Sequence, residues 1–319
     1  RLVGSEMCIR DRETPVTSDG YTVTDHEGNT VYIPHKPKRI ITAQLAFDTI
    51  LLGIVPADHL VAVNVLSKDP MGSFIAGEVK NIRYTIPPGG QISTGLIMKT
   101  KPDLLILTDY IDKNTVEMIR SLGYPVVICH SPDSHQDIID AIKLISESVG
   151  YPEKGEKLIN KMKSDLTEIE EKMKEIHTEP PVGLLVSQMQ SYGGPGSMYD
   201  ANLTFAHIRN GIEKAGLKNG EYLSKEMVLK SDPDFFLVAA DRPVDTRKTN
   251  KYKREFLADP VVQTMKGRHN VVAVPSRYIY CGNQNCGWAI KALANAAYGP
   301  VYGELFDMSD EHFIRADDL

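Results

Sequence analysis

The stretch "STGLIMKTKPDLLILT" (residues 93–108) returns in outline as "SKEMVLKSDPDFFLVA" (residues 224–239). With an offset of 131 positions, identical residues align at Ser93/Ser224, Lys99/Lys230, Pro102/Pro233 and Asp103/Asp234. In each copy, a Ser before an apolar run predicts a helix N-cap, and Lys-X-X-Pro-Asp predicts the end of that helix. Four consecutive apolar residues then predict a strand buried on both faces, as in a parallel sheet. Because this spacing is too long for a solenoid repeat, the pattern predicts two similar α/β lobes, each with its own sheet.

The composition allows two domains and argues against some classes of partner. The chain has 319 residues, of which 42% are apolar, so each lobe can bury a core of its own. The net charge of −6 disfavours nonspecific binding to nucleic acid, and we expect no nucleic-acid partner. No run of 18 apolar residues occurs, so the sequence predicts no transmembrane helix.

The first residues carry no recognisable export signal. "RLVGSEMCIRDR" (residues 1–12) has no apolar core of the signal-peptide kind, and we interpret it as a non-native scar. Residues 13–21 are predicted to be a flexible N-terminal segment. Any export signal would lie upstream of this sequence.

The remaining pattern divides the chain into two lobes and a connector. Residues 22–150 alternate predicted strands and helices, beginning with a hairpin, and form the N-terminal lobe. Residues 151–178 lack a breaker after Gly155, and their apolar positions are spaced by three or four residues: Leu158, Met162, Leu166, Ile169, Met173 and Ile176. We interpret this segment as one long helix packed along both lobes; the alternative is a coiled coil that binds a partner. Residues 179–319 resume the alternation and form the C-terminal lobe.

Taken in order, several segments resemble one known family. They are "VTDHEGNTVYIPHKPKRIITA", "LIMKTKPDLLIL", the long helix, "GPGSMYDANLTFAHIRNGIEKAGLKN", "LSKEMVLKSDPDFFLV" and "VVAVP". The chain resembles the substrate-binding proteins of ATP-driven (ABC) importers for ferric siderophores, haem and cobalamin, the periplasmic-binding-protein-2 class with a long hinge helix. The resemblance runs from about residue 22 to residue 304.

This resemblance implies a fold and a function. The expected fold is α/β, with two Rossmann-like lobes built on parallel sheets, joined by a single long α-helix, and a ligand cleft between the lobes. The expected function is extracytoplasmic capture of an iron complex and its delivery to an ABC permease in the membrane, without catalysis and without a cofactor. We expect a monomer in the periplasm or anchored as a lipoprotein. A ferric siderophore is the first expectation for the ligand, and haem and cobalamin are the alternatives.

Residues at predicted strand ends nominate the pocket, because ligands of open parallel sheets bind outside the carboxyl ends of the strands. The predicted cleft residues are Gln44, Tyr84, Gln91, Asp109, Tyr110, Gln188, Gln190, Tyr192, Arg242, Arg277, Tyr278, Tyr280 and Asn283. Aromatic side chains together with Arg suit a large planar or catecholate ligand, through stacking and charge pairing. The alternative is that Tyr278 and Tyr280 are ordinary strand residues.

Glu226 is the predicted docking residue. In the family, an acidic residue at this helix start in each lobe contacts arginines of the permease. Its counterpart in the first copy is Gly95, so docking is expected to be asymmetric, to use a neighbour such as Glu78, or not to use the pair at all. The alternative for Glu226 is an acid that stabilises the first turn of its helix.

Other chemical signals in the sequence are weak. Cys281 and Cys286 favour a small disulfide or two free thiols over a zinc site, which usually needs four ligands. His130 and His135 are expected to be surface or cap residues. We predict no metal site and no catalytic residue. One rival interpretation is a two-lobed α/β metallocofactor enzyme, which would need more cluster-ligand cysteines. Another is a small-metal receptor, which would need closely set histidines.

Overall fold

The computed structural model describes residues 19–187, 189–240 and 249–319. The strands are β1 (Tyr21–Thr24), β2 (Thr30–Ile33), β3 (Ile40–Thr42), β4 (Leu60–Asn64), β5 (Tyr84–Ile86), β6 (Leu104–Thr108), β7 (Val126–Cys129), β8 (Val182–Val186), β9 (Arg209–Asn210), β10 (Phe235–Ala240) and β11 (Val271–Pro275). The helices are α1 (Leu45–Leu52), α2 (Ala76–Val79), α3 (Thr94–Thr100), α4 (Lys113–Ser121), α5 (His135–Ser148), α6 (Pro152–Met173), α7 (Met198–Phe205), α8 (Gly211–Lys214), α9 (Lys225–Ser231), α10 (Thr249–Ala258), α11 (Ser276–Ile279) and α12 (Cys286–Tyr302).

The segment interpreted as a scar and most of the predicted flexible segment lie outside the described residues. Tyr21, the last residue of that flexible segment, already belongs to β1, and its hydroxyl donates a hydrogen bond to the Ser148 carbonyl.

The two copies of the repeated sequence adopt the same local structure. The Ser93 side chain caps α3 by accepting a hydrogen bond from the Leu96 N–H, and Ser224 caps α9 in the same way from Met227. Each helix ends at a residue in the left-handed region, Lys101 with φ of 45° and Asp232 with φ of 38°. The prediction of a capped short helix, a proline turn and a central strand in each copy is confirmed.

The Asp after each proline anchors its strand to the neighbouring strand. The Asp103 carboxylate accepts hydrogen bonds from the Lys38 and Arg39 N–H groups, which lie just before β3. In the second copy, the Asp234 carboxylate accepts from the Val182 N–H at the start of β8, at 2.7 Å. A side-chain anchor at the same point in both lobes explains why Pro-Asp recurs at this position.

Two parallel sheets form the centres of the lobes. The first has the strand order β5-β4-β3-β6-β7 and the second β11-β10-β8-β9, and every strand pair within them is parallel. A separate antiparallel hairpin, β1-β2, precedes the first sheet. The predicted α/β fold with parallel sheets is therefore confirmed, and the strand order of each sheet is of the doubly wound kind.

Alternate residues of the central strands face two different cores. In β6, Leu104 and Ile106 point into a large core that both lobes share, whereas Leu105 and Leu107 point into a core on the outer face of the first sheet. In β10, Phe235, Leu237 and Ala239 face the shared core, and Phe236 packs in an outer core of the second sheet. Burial on both faces explains the continuous apolar runs of these strands.

The long helix is shorter than predicted. The expected span was residues 151–178, but α6 ends at Met173, so its 22 residues extend about 33 Å. It packs on α5 of the first lobe and on α12 of the second. Leu158, Met162 and Ile169 are buried within the chain, so the apolar stripe is covered by the protein itself.

Two local segments differ from what the sequence predicts. The sequence predicts one helix near residues 202–215, but α7 ends before His207, whose φ is 54°, and Asn210 caps a separate helix, α8, by accepting from the Ile212 N–H. Four consecutive Pro and Gly residues at 87–90 predict an irregular segment over residues 71–91, but this segment contains α2 and the edge strand β5, which pairs with β4. Short edge strands give too little periodic pattern to be recognised from sequence.

Candidate functional site

A cavity of about 620 Å³ opens between the carboxyl ends of the two sheets. Its walls come from both lobes: Gln44, Leu45, Ala46, Asn64, Leu66, Asp69, Gly72, Pro88, Tyr110, Ser131, Pro132 and Asp133 from the first, and Ser187, Met189, Tyr192, Met198, Ala239, Lys253, Ser276, Tyr280 and Gly282 from the second. Many of these side chains are apolar. Volumes of this size accommodate ligands the size of a drug molecule or a small cofactor.

The cavity lies at the point where strand order reverses in each sheet. In the first sheet, chain connections run in opposite directions from β3 and β6, and the residues that follow these strands, Gln44 and Tyr110, line the cavity. In the second sheet, the reversal lies between β8 and β10, which contribute Ser187 and Ala239. Because adjacent loops diverge at such a point, they leave a crevice, and two facing crevices make this cavity.

Gln44 connects two strand ends at the wall of the cavity, and its side-chain oxygen is unpaired. Its Nε2 donates to Ser131 Oγ at 2.6 Å, which joins the end of β3 to the loop after β7. Its Oε1 is buried and has no hydrogen-bond partner among the described residues. A buried oxygen without a partner costs free energy, so few such groups occur in folded proteins.

Beneath the cavity floor, Asn64 and Asp48 hold two loops in place. Asn64 Nδ2 lies 3.1 Å from the Ala43 carbonyl and also contacts the carbonyls of Pro87 and Pro88. The Asn64 N–H donates to the buried Asp48 carboxylate at 2.8 Å. Burial raises the pKa of Asp48 to about 7, against the opposing effect of its hydrogen bonds.

Three tyrosines define the aromatic part of the site. Tyr110 is 55% exposed at the cavity mouth, and partial burial raises its pKa, against the opposing effect of hydrogen bonding with the Thr108 and Gln44 side chains. Tyr192 and Tyr280 lie deeper, with ring centroids 5.0 Å apart, and the Tyr280 hydroxyl is 2.5 Å from Ser187 Oγ. Burial also raises the pKa of Tyr192. Tyr110 is therefore the phenol most accessible to a ligand.

The described lining carries both signs of charge. Lys253, on α10, is 3% exposed, and Asp69 and Asp133 contribute carboxylates. Burial raises the pKa of Asp133, although the nearby His130 opposes this shift.

The predicted cleft residues fall into three groups. Gln44, Tyr110, Tyr192 and Tyr280 line the cavity. Gln188 and Arg242 lie outside the described residues. The others are placed outside the cavity lining: Tyr84, Gln91, Asp109, Gln190, Arg277, Tyr278 and Asn283.

Several residues of this last group have structural partners. Arg277 forms a two-point ion pair with Glu311, and Tyr278, in α11 and not in a strand, donates its hydroxyl to the same carboxylate. Asn283 is buried and accepts from the Asn285 N–H at 3.0 Å. Tyr84 belongs to β5, where its ring lies beneath the guanidinium of Arg83. Gln91 is exposed, and Gln190 is half-buried.

Asp109 and His130 form a close pair beside the cavity. The Asp109 carboxylate lies 2.6 Å from His130 Nδ1 and accepts from the Ser131 N–H at 3.3 Å. Partial burial raises the pKa of Asp109, but the hydrogen bonds from His130 and the Ser131 N–H and the charge of His130 together outweigh this effect, and the net pKa is lowered. Partial burial lowers the pKa of His130, but the hydrogen bond to Asp109 and the negative charges of Asp109, Asp137 and Asp133 together outweigh this effect, and the net pKa is raised.

The cysteines and His135, which gave only weak signals in the sequence, are part of the packed structure. Cys129, Cys281 and Cys286 are buried free thiols, and burial raises the pKa of Cys281 to about 12. His135 is the first residue of α5, and its Nε2 lies 2.9 Å from Asn202 Oδ1 of the second lobe. Burial lowers the pKa of His135.

The predicted docking positions are exposed on equivalent helices. Glu226 is the second residue of α9, and Gly95 is the second residue of α3. One turn further on, each helix exposes an apolar side chain, Met98 at 69% and Leu229 at 48%. Glu78, the alternative docking residue, forms an ion pair in which its Oε2 lies 3.1 Å from Arg315 Nη1.

Several residues of the cavity wall were not among the predicted cleft residues. Asn64 had a usable signal, because it is the polar residue at the end of an otherwise apolar strand. Met189, Met198 and Lys253 had no such signal in the sequence, since their position in the cavity wall depends on how the two lobes pack against each other.

A family model and a bacterial relative both match this chain and point to the same class of protein. The sequence model of a family described as periplasmic binding protein matches residues 40–277. An uncharacterized ABC transporter substrate-binding lipoprotein, YvrC from Bacillus subtilis, is 22% identical over 265 residues, covering 77% of this chain and 80% of the relative.

Solved structures share the fold. A periplasmic haem-binding protein, RhuT from Roseiflexus sp. RS-1 in its apo form, has a TM-score of 0.70 at 20% identity, covering 82% of this chain and 98% of that one. The haem-binding protein HmuT has a TM-score of 0.71 at 18% identity, covering 93% and 96%. Within the described part of the chain, no helix is long and apolar enough to cross a membrane.

Proposed function

Because the chain belongs to the periplasmic binding protein family, we propose that it captures an iron-bearing tetrapyrrole of the haem class outside the cytoplasm and hands it to an ABC permease. The observation that carries this proposal is the 620 Å³ cavity between the lobes, with a largely apolar wall and the Tyr110 phenol at its mouth. The named haem-binding neighbours support the same choice. The proposed function involves no catalysis, and the ligand is released in the same chemical form in which it was bound.

The chemistry of the wall suits a flat, mainly apolar ring. Leu66, Pro88 and Met189 can contact the faces of such a ring, and the Met thioether adapts to aromatic surfaces. Tyr is an established axial ligand of ferric haem, and iron binding would displace the phenolic proton of Tyr110.

A ferric siderophore, our first expectation from sequence, is the second candidate. Lys253 favours it, because catecholate complexes of iron are anionic. The carboxylates of Asp69 and Asp133 in the same lining oppose a strongly negative ligand. Cobalamin is the largest of the three ligand classes and fits a cavity of this size least well.

Titration of the purified protein with ferric haem, a ferric tris-catecholate, a ferric hydroxamate and cobalamin distinguishes these ligands. We expect one haem per chain, with a Soret band that Tyr110→Phe shifts, and an affinity at least tenfold lower in that variant. Tyr84→Phe is the matched control, since Tyr84 lies outside the cavity. Tight binding of the catecholate without haem binding would refute the haem assignment and leave the family function intact.

We also propose that α3 and α9 form the surface that meets the permease. Their equivalent positions in two similar lobes suit a partner with two similar halves, and Met98 and Leu229 offer matching apolar contacts. Glu226 adds a charge in the second lobe alone. An added side chain at Gly95 would meet little, because its Cβ comes no closer than 3.9 Å to the Ser93 hydroxyl.

Uptake by vesicles that contain the cognate permease tests this surface. Glu226→Ala should lower uptake and leave ligand affinity unchanged, and Gly95→Glu should raise the association rate, mostly at low salt. Glu213→Ala, an exposed acid on α8, serves as control. Equal uptake by wild type and Glu226→Ala at every ionic strength would remove Glu226 from the docking surface.

A further inference from the structure

Three side chains with metal-binding groups meet at the edge of the first sheet. His26 lies in the turn between β1 and β2, Asp109 follows β6, and His130 follows β7. One ligand atom from each lies within 4.8 Å of the other two, and among the described residues these are the only three His, Cys, Asp or Glu side chains so grouped. None of the three lines the cleft cavity.

The backbone brings these residues together. Thr108 and Cys129 are paired in the parallel register of β6 and β7, so the next residues, Asp109 and His130, emerge side by side. The His26 N–H donates to the Ile128 carbonyl at 2.9 Å, which fixes the hairpin turn against β7. The buried Asp25 carboxylate accepts from the Ile128 N–H at 3.2 Å and holds the same turn.

We propose that His26, Asp109 and His130 bind a divalent transition metal ion of the zinc class, with solvent completing the coordination. Two imidazoles and one carboxylate form the type of donor set that suits zinc. An adjacent cavity of about 300 Å³ contains both histidines and the acids Asp137, Asp140 and Glu147, with one lysine, Lys143. Its excess of carboxylates favours a cation.

The distances permit this with small movements. Ligand atoms on a tetrahedral zinc with bonds of about 2.1 Å stand about 3.4 Å apart. The distance between the Asp109 oxygen and His130 Nδ1 is 2.6 Å and must increase by about 0.8 Å. The distances from the His26 ligand atom to the other two are at most 4.8 Å, and those longer than about 3.4 Å must decrease. The His26 ring is now stacked on that of His130 at 4.9 Å, so it must turn about its side-chain bonds. Since His26 is exposed, that rotation meets little resistance.

A metal ion at this site would be connected to the cleft wall through hydrogen bonds of its ligand Asp109. Asp109 also accepts from the Ser131 N–H, and Ser131 Oγ receives the hydrogen bond from Gln44. The ion would therefore link the hairpin turn to the ends of β6 and β7, next to Tyr110. This assignment departs from our expectation from sequence that His130 is a surface or cap residue.

Calorimetric titration of metal-free protein with Zn²⁺, and visible spectra with Co²⁺ as a probe, test the proposal. We expect one ion per chain, tetrahedral-type Co²⁺ bands, and a melting temperature that rises with Zn²⁺. His26→Ala and Asp109→Asn should each weaken binding at least tenfold. His59→Ala is the matched control, because His59 pairs with Asp58 at 2.9 Å but has no third ligand among the described residues.

Two results would overturn the site. One is the absence of Zn²⁺ binding at millimolar metal. The other is binding of unchanged affinity in His26→Ala, a variant expected to keep its fold because the side chain is exposed. Either result leaves the haem proposal untouched, since His26 and Asp109 lie outside the cleft lining.

Discussion

Asp48 should make the stability of this protein depend on pH. Its side chain is fully buried in α1, where Thr42 Oγ1, Ser67 Oγ and the Asn64 N–H donate hydrogen bonds to it. None of the ion pairs among the described residues involves Asp48. Burial therefore disfavours its charged form, and the pKa rises from 3.8 to about 7.

The sign of the effect follows from proton binding. Between about pH 4 and pH 7, the folded protein keeps the Asp48 proton that the unfolded chain releases. The stability that this proton provides is complete below pH 4 and is lost as pH rises through 7. A difference of about three pH units corresponds to about 4 kcal/mol in the free energy of unfolding.

Asp48→Asn removes the ionisation and keeps the shape. The amide oxygen can still accept from the Asn64 N–H, and the Thr42 and Ser67 hydroxyls can turn to accept from the new NH₂ group. The variant should match wild type near pH 4 and exceed it at pH 8 by up to about 4 kcal/mol.

Urea denaturation at half-unit steps from pH 4 to pH 8 measures this difference. Glu179→Gln is the control, because the Glu179 side chain is exposed and its replacement should leave the profile unchanged. If wild type and Asp48→Asn show parallel profiles, the three hydrogen bonds compensate fully for burial, and the reasoning about desolvation is wrong.

Three further predictions concern packing and capping. Met162→Asp should cost at least about 3 kcal/mol in urea denaturation, because it places an unpaired charge where the side chain is 1% exposed; an unchanged midpoint would mean that α6 does not pack as described. Gly155→Ala should destabilise by about 1–3 kcal/mol despite its better helix propensity, since the new Cβ would lie 2.5 Å from the Ser146 Cβ; a raised melting temperature would contradict that close approach. Ser93→Ala and Ser224→Ala should each cost about 1 kcal/mol, and clearly unequal losses would show that the two caps are not equivalent.

Local sequence determined the repeated unit. The N-caps and the left-handed helix ends of both copies depend on contacts within a few residues, and the strands were recognisable from their continuous apolar runs. Apolar spacing likewise identified α6, and only its last turn was placed wrongly. Such features are readable because capping, proline geometry and periodicity act over one or two helical turns.

The composition of the site was decided by tertiary structure. The strand-end rule nominated Gln44, Tyr110, Tyr192 and Tyr280, which line the cavity, and their role in binding stays a prediction. The same rule placed Arg277 and Tyr278 in the cleft, where the structure instead pairs them with Glu311.

The approach of Lys253 to the cleft, and of His26 to Asp109 and His130, left no trace in the sequence. These neighbours are set by strand order and by the packing of hairpin and helices on the sheets. Long-range pairing of that kind depends on the free energy of the whole fold, and no short stretch of sequence contains it.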